Sequence, residues 1–160
     1  MAIIFALSAL AATNSFAQYN EIKSENIASL QVVAGNNWLS MPIATLNGEA
    51  INISFDDLTH EYHRYAYRLQ HCEADWSVSE GIFESDYCEG LADGSTIDDI
   101  EESLNTNTLY THYRLSIPNE NCRIKMSGNY RLTVYDENEG DTVFTACFMV
   151  VEPLGKTSMA

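Results

Sequence analysis

Basic side chains are scarce. The 160 residues carry 8 Lys and Arg against 23 Asp and Glu, a formal net charge of −15. Neutralising phosphates takes clustered cations, so direct nucleic-acid binding is excluded, as is docking on anionic lipid through a basic patch. Long hydrophobic runs are missing too. The apolar run Ile3 to Ala12 is too short to span a bilayer. No Cys-x-x-Cys pair occurs, which removes a zinc knuckle and a thioredoxin-type redox pair. No serine sits in a Gly-x-Ser-x-Gly setting, no glycine-rich loop suits a phosphate, and no repeat of 20–50 residues is present. The chain is also too short for a TIM barrel or a two-domain enzyme, and fits one domain with short extensions.

What is present is apolar and aromatic: 46% hydrophobic residues, with 9 Tyr, 6 Phe and 2 Trp, enough for a folded core. Met1 to Ala17 holds no charge. Its apolar run has the length of a signal-peptide core, and Ser15-Phe16-Ala17 offers small residues where a signal peptidase reads, so cleavage is predicted before Gln18. No Lys or Arg precedes the run, and the competing reading is a buried N-terminal element. No cysteine follows it, which argues against a lipoprotein anchor. Residues 18–26 read as an exposed start, and the whole −15 then belongs to residues 18–160.

Export would place Cys72, Cys88, Cys122 and Cys147 in an oxidising compartment where disulfides persist. Four cysteines allow three pairings and the sequence does not choose among them. A Cys72–Cys88 bridge would close a short loop worth about 3 kcal/mol in the chain-entropy model. The alternative is four buried thiols acting as small hydrophobes.

Between residues 27 and 152 the pattern is that of short strands. Ile27 to Val33, Ala50 to Phe55, Arg64 to Cys72, Thr111 to Ile117, Cys122 to Met126, Asn129 to Asp136 and Thr142 to Val151 read as strands, several with clear apolar alternation. Trp38 to Leu46, broken by Pro42, reads as an edge strand or two pieces. Asn47-Gly48 is a hairpin signal. Ser95 to Asn105 is ambiguous: Ile97, Ile100 and Leu104 give helical spacing after a capping residue, and the alternative is an edge strand with solvent-facing acids. The expectation is an all-β, immunoglobulin-like or fibronectin-III-like sandwich of about seven or eight strands with a short helix near 95–105. Met126 four residues before Tyr130, with Leu132 and Val134 following, has the form of a tyrosine corner, which gives Tyr130 a structural role.

No constellation assembles a nucleophile, a base and an oxyanion site, so the reading is non-enzymatic with no cofactor. His71 and Cys72 are adjacent in a strand and point to opposite faces. His60 and His63 read as loop histidines rather than metal ligands. Asp136, Glu137, Asn138, Glu139 and Asp141 supply the hard oxygens of a calcium loop, weighed against an ordinary solvated acidic turn that lacks the EF-hand pattern. Trp38 and Trp76 could stack on a sugar, while alternation turns Tyr65, Tyr67, Tyr113 and Tyr130 inward.

Several segments in order are distinctive: Gly35-Asn-Asn-Trp38-Leu-Ser-Met-Pro42, Leu46-Asn-Gly48, Ser54-Phe-Asp-Asp57-Leu, Tyr67-Arg-Leu-Gln-His71-Cys-Glu-Ala-Asp75-Trp76, Tyr110-Thr-His112-Tyr113-Arg-Leu, Pro118-Asn-Glu-Asn121, Ser127-Gly128-Asn-Tyr130 and Phe148-Met-Val-Val-Glu152. Together they resemble the N-terminal, first domain of type IX secretion system plug proteins, and the His-Cys-x-Ala-Asp-Trp run is the most distinctive piece. The resemblance implies a periplasmic protein at the inner face of the outer membrane, peripheral and not inserted. Its partner would be the translocon barrel, whose pore it blocks when no substrate passes. No small-molecule substrate is implied. The family has further domains after the first, so residues 153–160 are expected to begin a linker to a following domain. Within this frame the acids of Asp56-Asp57 and of Glu73 to Asp86, with Asp56, Asp57, Glu73, Asp75 and Trp76 foremost, are the candidate interface. A secreted carbohydrate- or peptide-binding sandwich is the alternative.

Overall fold

A computed structural model describes residues 20–153. The signal peptide expected at 1–17 and most of the linker expected at 153–160 lie outside the described residues. The described chain forms β1 (Glu21–Ile22), β2 (Ile27–Ala34), β3 (Ile43–Thr45), β4 (Ile51–Asp57), β5 (Tyr65–Cys72), α1 (Glu84–Tyr87), β6 (Cys88–Gly90), β7 (Asp93–Thr96), β8 (Asp99–Glu102), β9 (Thr111–Ile117), β10 (Cys122–Ile124), β11 (Gly128–Asp136) and β12 (Thr142–Val151).

Two sheets face each other, as the all-β sandwich expectation requires. One has the order β1-β12-β11-β5-β7, with the short β3 lying parallel beside β12. The other has the order β2-β4-β9-β8 and is antiparallel throughout. A separate two-stranded ribbon, β6 with β10, contributes Cys88, Cys122 and Ile124 to the common core. Alternation decides which side chains enter that core. Ile51, Ile53 and Phe55 of β4 meet Tyr113, Leu115 and Ile117 of β9 on one inner face. Tyr65, Tyr67 and Leu69 of β5, Tyr130, Leu132 and Val134 of β11, and Phe144, Ala146 and Phe148 of β12 form the other. Within the second sheet Phe55 stacks on Tyr113 at 5.1 Å, and it joins the layers by meeting Phe144 edge-on at 4.8 Å. Each such buried ring contributes roughly 1.5–3 kcal/mol through burial.

The tyrosine corner forms as read. The Tyr130 hydroxyl donates to the Met126 carbonyl at 2.6 Å while its ring is fully buried and stacks on Phe148. Two elements differ from expectation. Residues 95–105 hold no helix; β7 pairs with β5 and β8 pairs with β9, so the edge-strand alternative is the one formed. The helical spacing of Ile97 and Ile100 is overridden because Ile97 is buried in the core and Asp99 and Glu101 point outward to Arg114. Among the described residues the one helical turn is α1, where the Asp86 carboxylate accepts from the Phe83 N–H at 2.9 Å and returns the chain to the ribbon. In the segment Trp38 to Leu46, strand is confined to β3, and Trp38 to Met41 loop outward instead.

Candidate functional site

The two halves of the sequence-derived interface lie at opposite ends of the sandwich. Asp57 closes β4 and Tyr65 opens β5, and the Tyr65 hydroxyl donates to the Asp57 carboxylate at 2.9 Å. Glu73 follows the far end of β5, about 26 Å away at the rise of an extended strand.

At the first end the acids are engaged internally. Asp57 is fully buried. Its Oδ1 accepts from the Thr59 N–H at 2.9 Å and the Thr59 hydroxyl at 2.8 Å, and its Oδ2 lies 2.6 Å from His63 Nδ1. Burial works to raise its pKa, but the hydrogen bonds from Thr59, His63 and Tyr65 outweigh it and hold the carboxyl below its ordinary value. Burial and the hydrogen bond to Asp57 push the Tyr65 hydroxyl well up. Tyr113 extends the network: its hydroxyl both accepts from the His63 N–H and donates to the His63 carbonyl, each at 3.0 Å. The paired carboxylate and imidazole are two of the three members of a hydrolytic triad, but the Thr59 hydroxyl donates to that same carboxylate and lies on its side of the ring, not at the far ring nitrogen where a nucleophile would sit. Asp56 faces outward and lies 2.6 Å from His112 Nδ1.

The acidic loop Asp136 to Asp141 sits at this same end. Asp136 is buried and its Oδ1 accepts from the N–H groups of Asn138 and Glu139, while Glu137 pairs with Arg64. Among the described residues no group of three or more His, Cys, Asp or Glu side chains converges as metal ligands would.

The other end presents a different surface. The His71 to Ser79 segment is a tight loop. Glu73 N–H donates to the Ser77 carbonyl at 2.8 Å, and the Ser77 hydroxyl and N–H both donate to Asp75, holding its carboxyl below the ordinary value. Trp76 adopts φ +67, an uncommon conformation for a bulky residue, and Arg131 donates to its carbonyl. Asn129 donates to the Glu73 carbonyl at 2.9 Å, and His71 Nδ1 lies 2.8 Å from the Ser79 hydroxyl. Only a glycine fits at 128, since a Cβ there would stand 2.2 Å from His71 Nε2. The distinctive His-Cys-x-Ala-Asp-Trp run is therefore the sequence of a loop locked to β11. It holds Glu73 and Asp75 exposed and Trp76 half-buried.

At the same end lies a loop that the sequence pattern reads as an edge strand or two short pieces, with Trp38 in it as a surface for a sugar. Pro42 accepts from the Met149 N–H, which brings the β2–β3 loop to the same end. That loop exposes Trp38 at 69%, Leu39 at 69% and Met41 at 67%. The signal was available: the turn residues Gly35-Asn36-Asn37 precede Trp38 and Pro42 follows, so the apolar run was bracketed by breakers. An apolar cleft among Leu46, Ile51, Ile117 and Val150 at this end holds about 30 Å³, the room of a single water.

Fold and site define a small all-β sandwich that presents a rigid acidic loop and an exposed apolar one toward the same end. The family described as Type 9 secretion system plug protein 1st domain matches residues 27–152, and the chain belongs to that family. A crystal structure of a hypothetical protein from Parabacteroides merdae ATCC 43184 is similar, with a TM-score of 0.80 and 43% identity over 85% of this chain and 34% of that one. The chain thus spans about a third of that protein's length. A search of curated proteins finds no match.

Proposed function

We propose that this domain is a non-enzymatic protein-binding module that helps plug the outer-membrane translocon of the type 9 secretion system from the periplasmic side. The observation that carries the reading is the family match across 27–152. The loop end supports it chemically. Exposed Trp38, Leu39 and Met41 offer the apolar anchors typical of an interface centre, and Glu73 and Asp75 offer a charged rim. The domain is exported through cleavage before Gln18 and stays peripheral to the membrane, held by the barrel component rather than by lipid. Asp57 is withdrawn from the proposed interface by its burial, while Asp56, Glu73, Asp75 and Trp76 keep some or all of their surface.

Co-purification from envelope extracts tests this. The translocon barrel is expected to follow the wild-type protein, and to be lost when Trp38→Ala is combined with Glu73→Lys and Asp75→Lys. Capture that is unchanged at low salt in this triple variant would sink the interface. A mature protein whose N-terminus is not Gln18 would sink the cleavage site.

One observation favours a second reading. Trp38 also borders a groove of about 350 Å³ on the outer face of the second sheet, lined by Gln31, Asn52, Ser54, His112 and Arg114. An aromatic beside amides and hydroxyls suits a carbohydrate or an extended peptide. Binding on a glycan array that Trp38→Ala abolishes would establish that reading.

A further inference from the structure

The β6–β10 ribbon sets two cysteines against each other. Cys88 pairs with Ile124 and Cys122 with Gly90, so the two are diagonal neighbours across an antiparallel pair. Both are buried in the core cluster, and their Sγ atoms are 2.9 Å apart. That is inside the contact distance of two unbonded sulfurs and about 0.9 Å longer than a disulfide bond. Gly90 stands at φ +105, where a Cβ would lie 2.1 Å from the Asn121 carbonyl oxygen, so the two backbones approach closely at this point.

The sheet holds Cys72 apart from the other cysteines. Cys72 of β5 is level with Asn129 and Cys147 of β12 is level with Arg131, so β11 runs between them. Two strand spacings of about 4.8 Å each exceed the Cα separation that a disulfide spans. Cys72 also lies on the face of β5 opposite Leu69 and His71, outside the cluster that holds Cys88 and Cys122.

We propose that Cys88 and Cys122 form an intramolecular disulfide in the exported protein. The inference takes export from the proposed function and adds a covalent site to it. The two thiols give up two protons and two electrons as the S–S bond forms, and a disulfide-bearing thiol oxidase of the envelope accepts them and becomes a dithiol. The bridge ties the segment after β5, in one sheet, to the segment after β9, in the other, across 34 positions of sequence. Burial, followed by the neighbouring Cys88, raises the Cys122 thiol, which makes it a poor nucleophile once folded. Both sulfurs are buried in the folded domain, so an external oxidase reaches them best before the ribbon is packed.

The test uses protein exported to the envelope, acid-trapped, denatured, alkylated without reductant, digested and weighed. The expected result is one linked species joining the Cys88 and Cys122 peptides, lighter than the dithiol by two hydrogens. Reductant should lower the melting temperature by on the order of 10 °C. The double variant Cys88→Ala, Cys122→Ala should melt lower and ignore reductant. Should that variant fail to fold, refolding wild-type protein in a glutathione redox buffer gives the same readout. Alkylation of both cysteines, or either one joined to Cys72 or Cys147, overturns the proposal. So does a link formed on refolding but missing from the exported protein. A linked pair in protein that captures no translocon overturns the plug reading alone.

Discussion

The two ends of the sandwich use the same residue types for opposite purposes. At one end Asp57, His63, Tyr65 and Tyr113 turn their polar atoms toward one another and leave little for a partner. At the other, Glu73, Asp75, Trp38 and Met41 turn away from the body, and the hydrogen bonds that fix this end run through backbone carbonyls and the side chains of β11. The difference teaches where stability and recognition can be separated. A carboxylate whose lone pairs are filled by its own chain strengthens the fold. On the exposed loop braced from behind, Ser77 takes only Oδ1 of Asp75, which leaves Oδ2 and the Glu73 carboxylate to meet another protein.

The sharpest way to break that division is Asp57→Ala. It strips the acceptor from Thr59, His63 and Tyr65 in a buried site and should cost about 3 kcal/mol in urea denaturation. If it costs less than about 1 kcal/mol, the polar end is not what holds that side together. Acid tests the same group. Its native pKa lies below the ordinary carboxylate value, so its stabilisation is fully present above that range and is lost as pH falls through the lowered native value. The urea midpoint should therefore decline below about pH 4, and Asp57→Asn should flatten that decline. Tyr130→Phe removes the corner hydrogen bond to Met126 and should cost about 1 kcal/mol by thermal unfolding. Smallest in stability are Trp38→Ala and the reversals at Glu73 and Asp75, expected to stay within about 0.5 kcal/mol of wild type while abolishing barrel capture. If these destabilise as much as Asp57→Ala, the loop end is structural and the comparison collapses.

Long strands were legible because burying one face imposes alternation; β4, β9 and β11 show it residue by residue, and β5 only in part, since Ala66 and Cys72 are buried on its other face. The corner was legible because its four-residue spacing is local. The edges were less so. β7 and β8 carry acids whose partners sit on neighbouring strands, such as Asp99 and Glu101 on Arg114, and no local spacing announces a pairing made at that distance. Asp57 was read as exposed because it stands in an acidic pair, although it continues the inward series Ile51, Ile53, Phe55 and the period of two already placed it inside. Trp38 was the converse case, an aromatic taken with a strand that proved to be loop. The Cys88–Cys122 approach was invisible for a plainer reason: both open three-residue strands whose pairing is tertiary.

The borders of the two sheets bear on how such a protein stays apart from its copies. On β12, Glu21–Ile22 cover the strand beside Phe144 and Thr145, β3 covers it beside Met149 to Val151, and the Asn20 side chain accepts from the Cys147 N–H between them. β2, bordering the second sheet, is bent by an irregularity between Ala28 and Gln31, with Ser29 at φ +55. β8 is four residues long and three of them are acids. Each is a known defence against strand-to-strand stacking. Part of the −15 is therefore an insulating rim, one that keeps these borders from growing into a fibre.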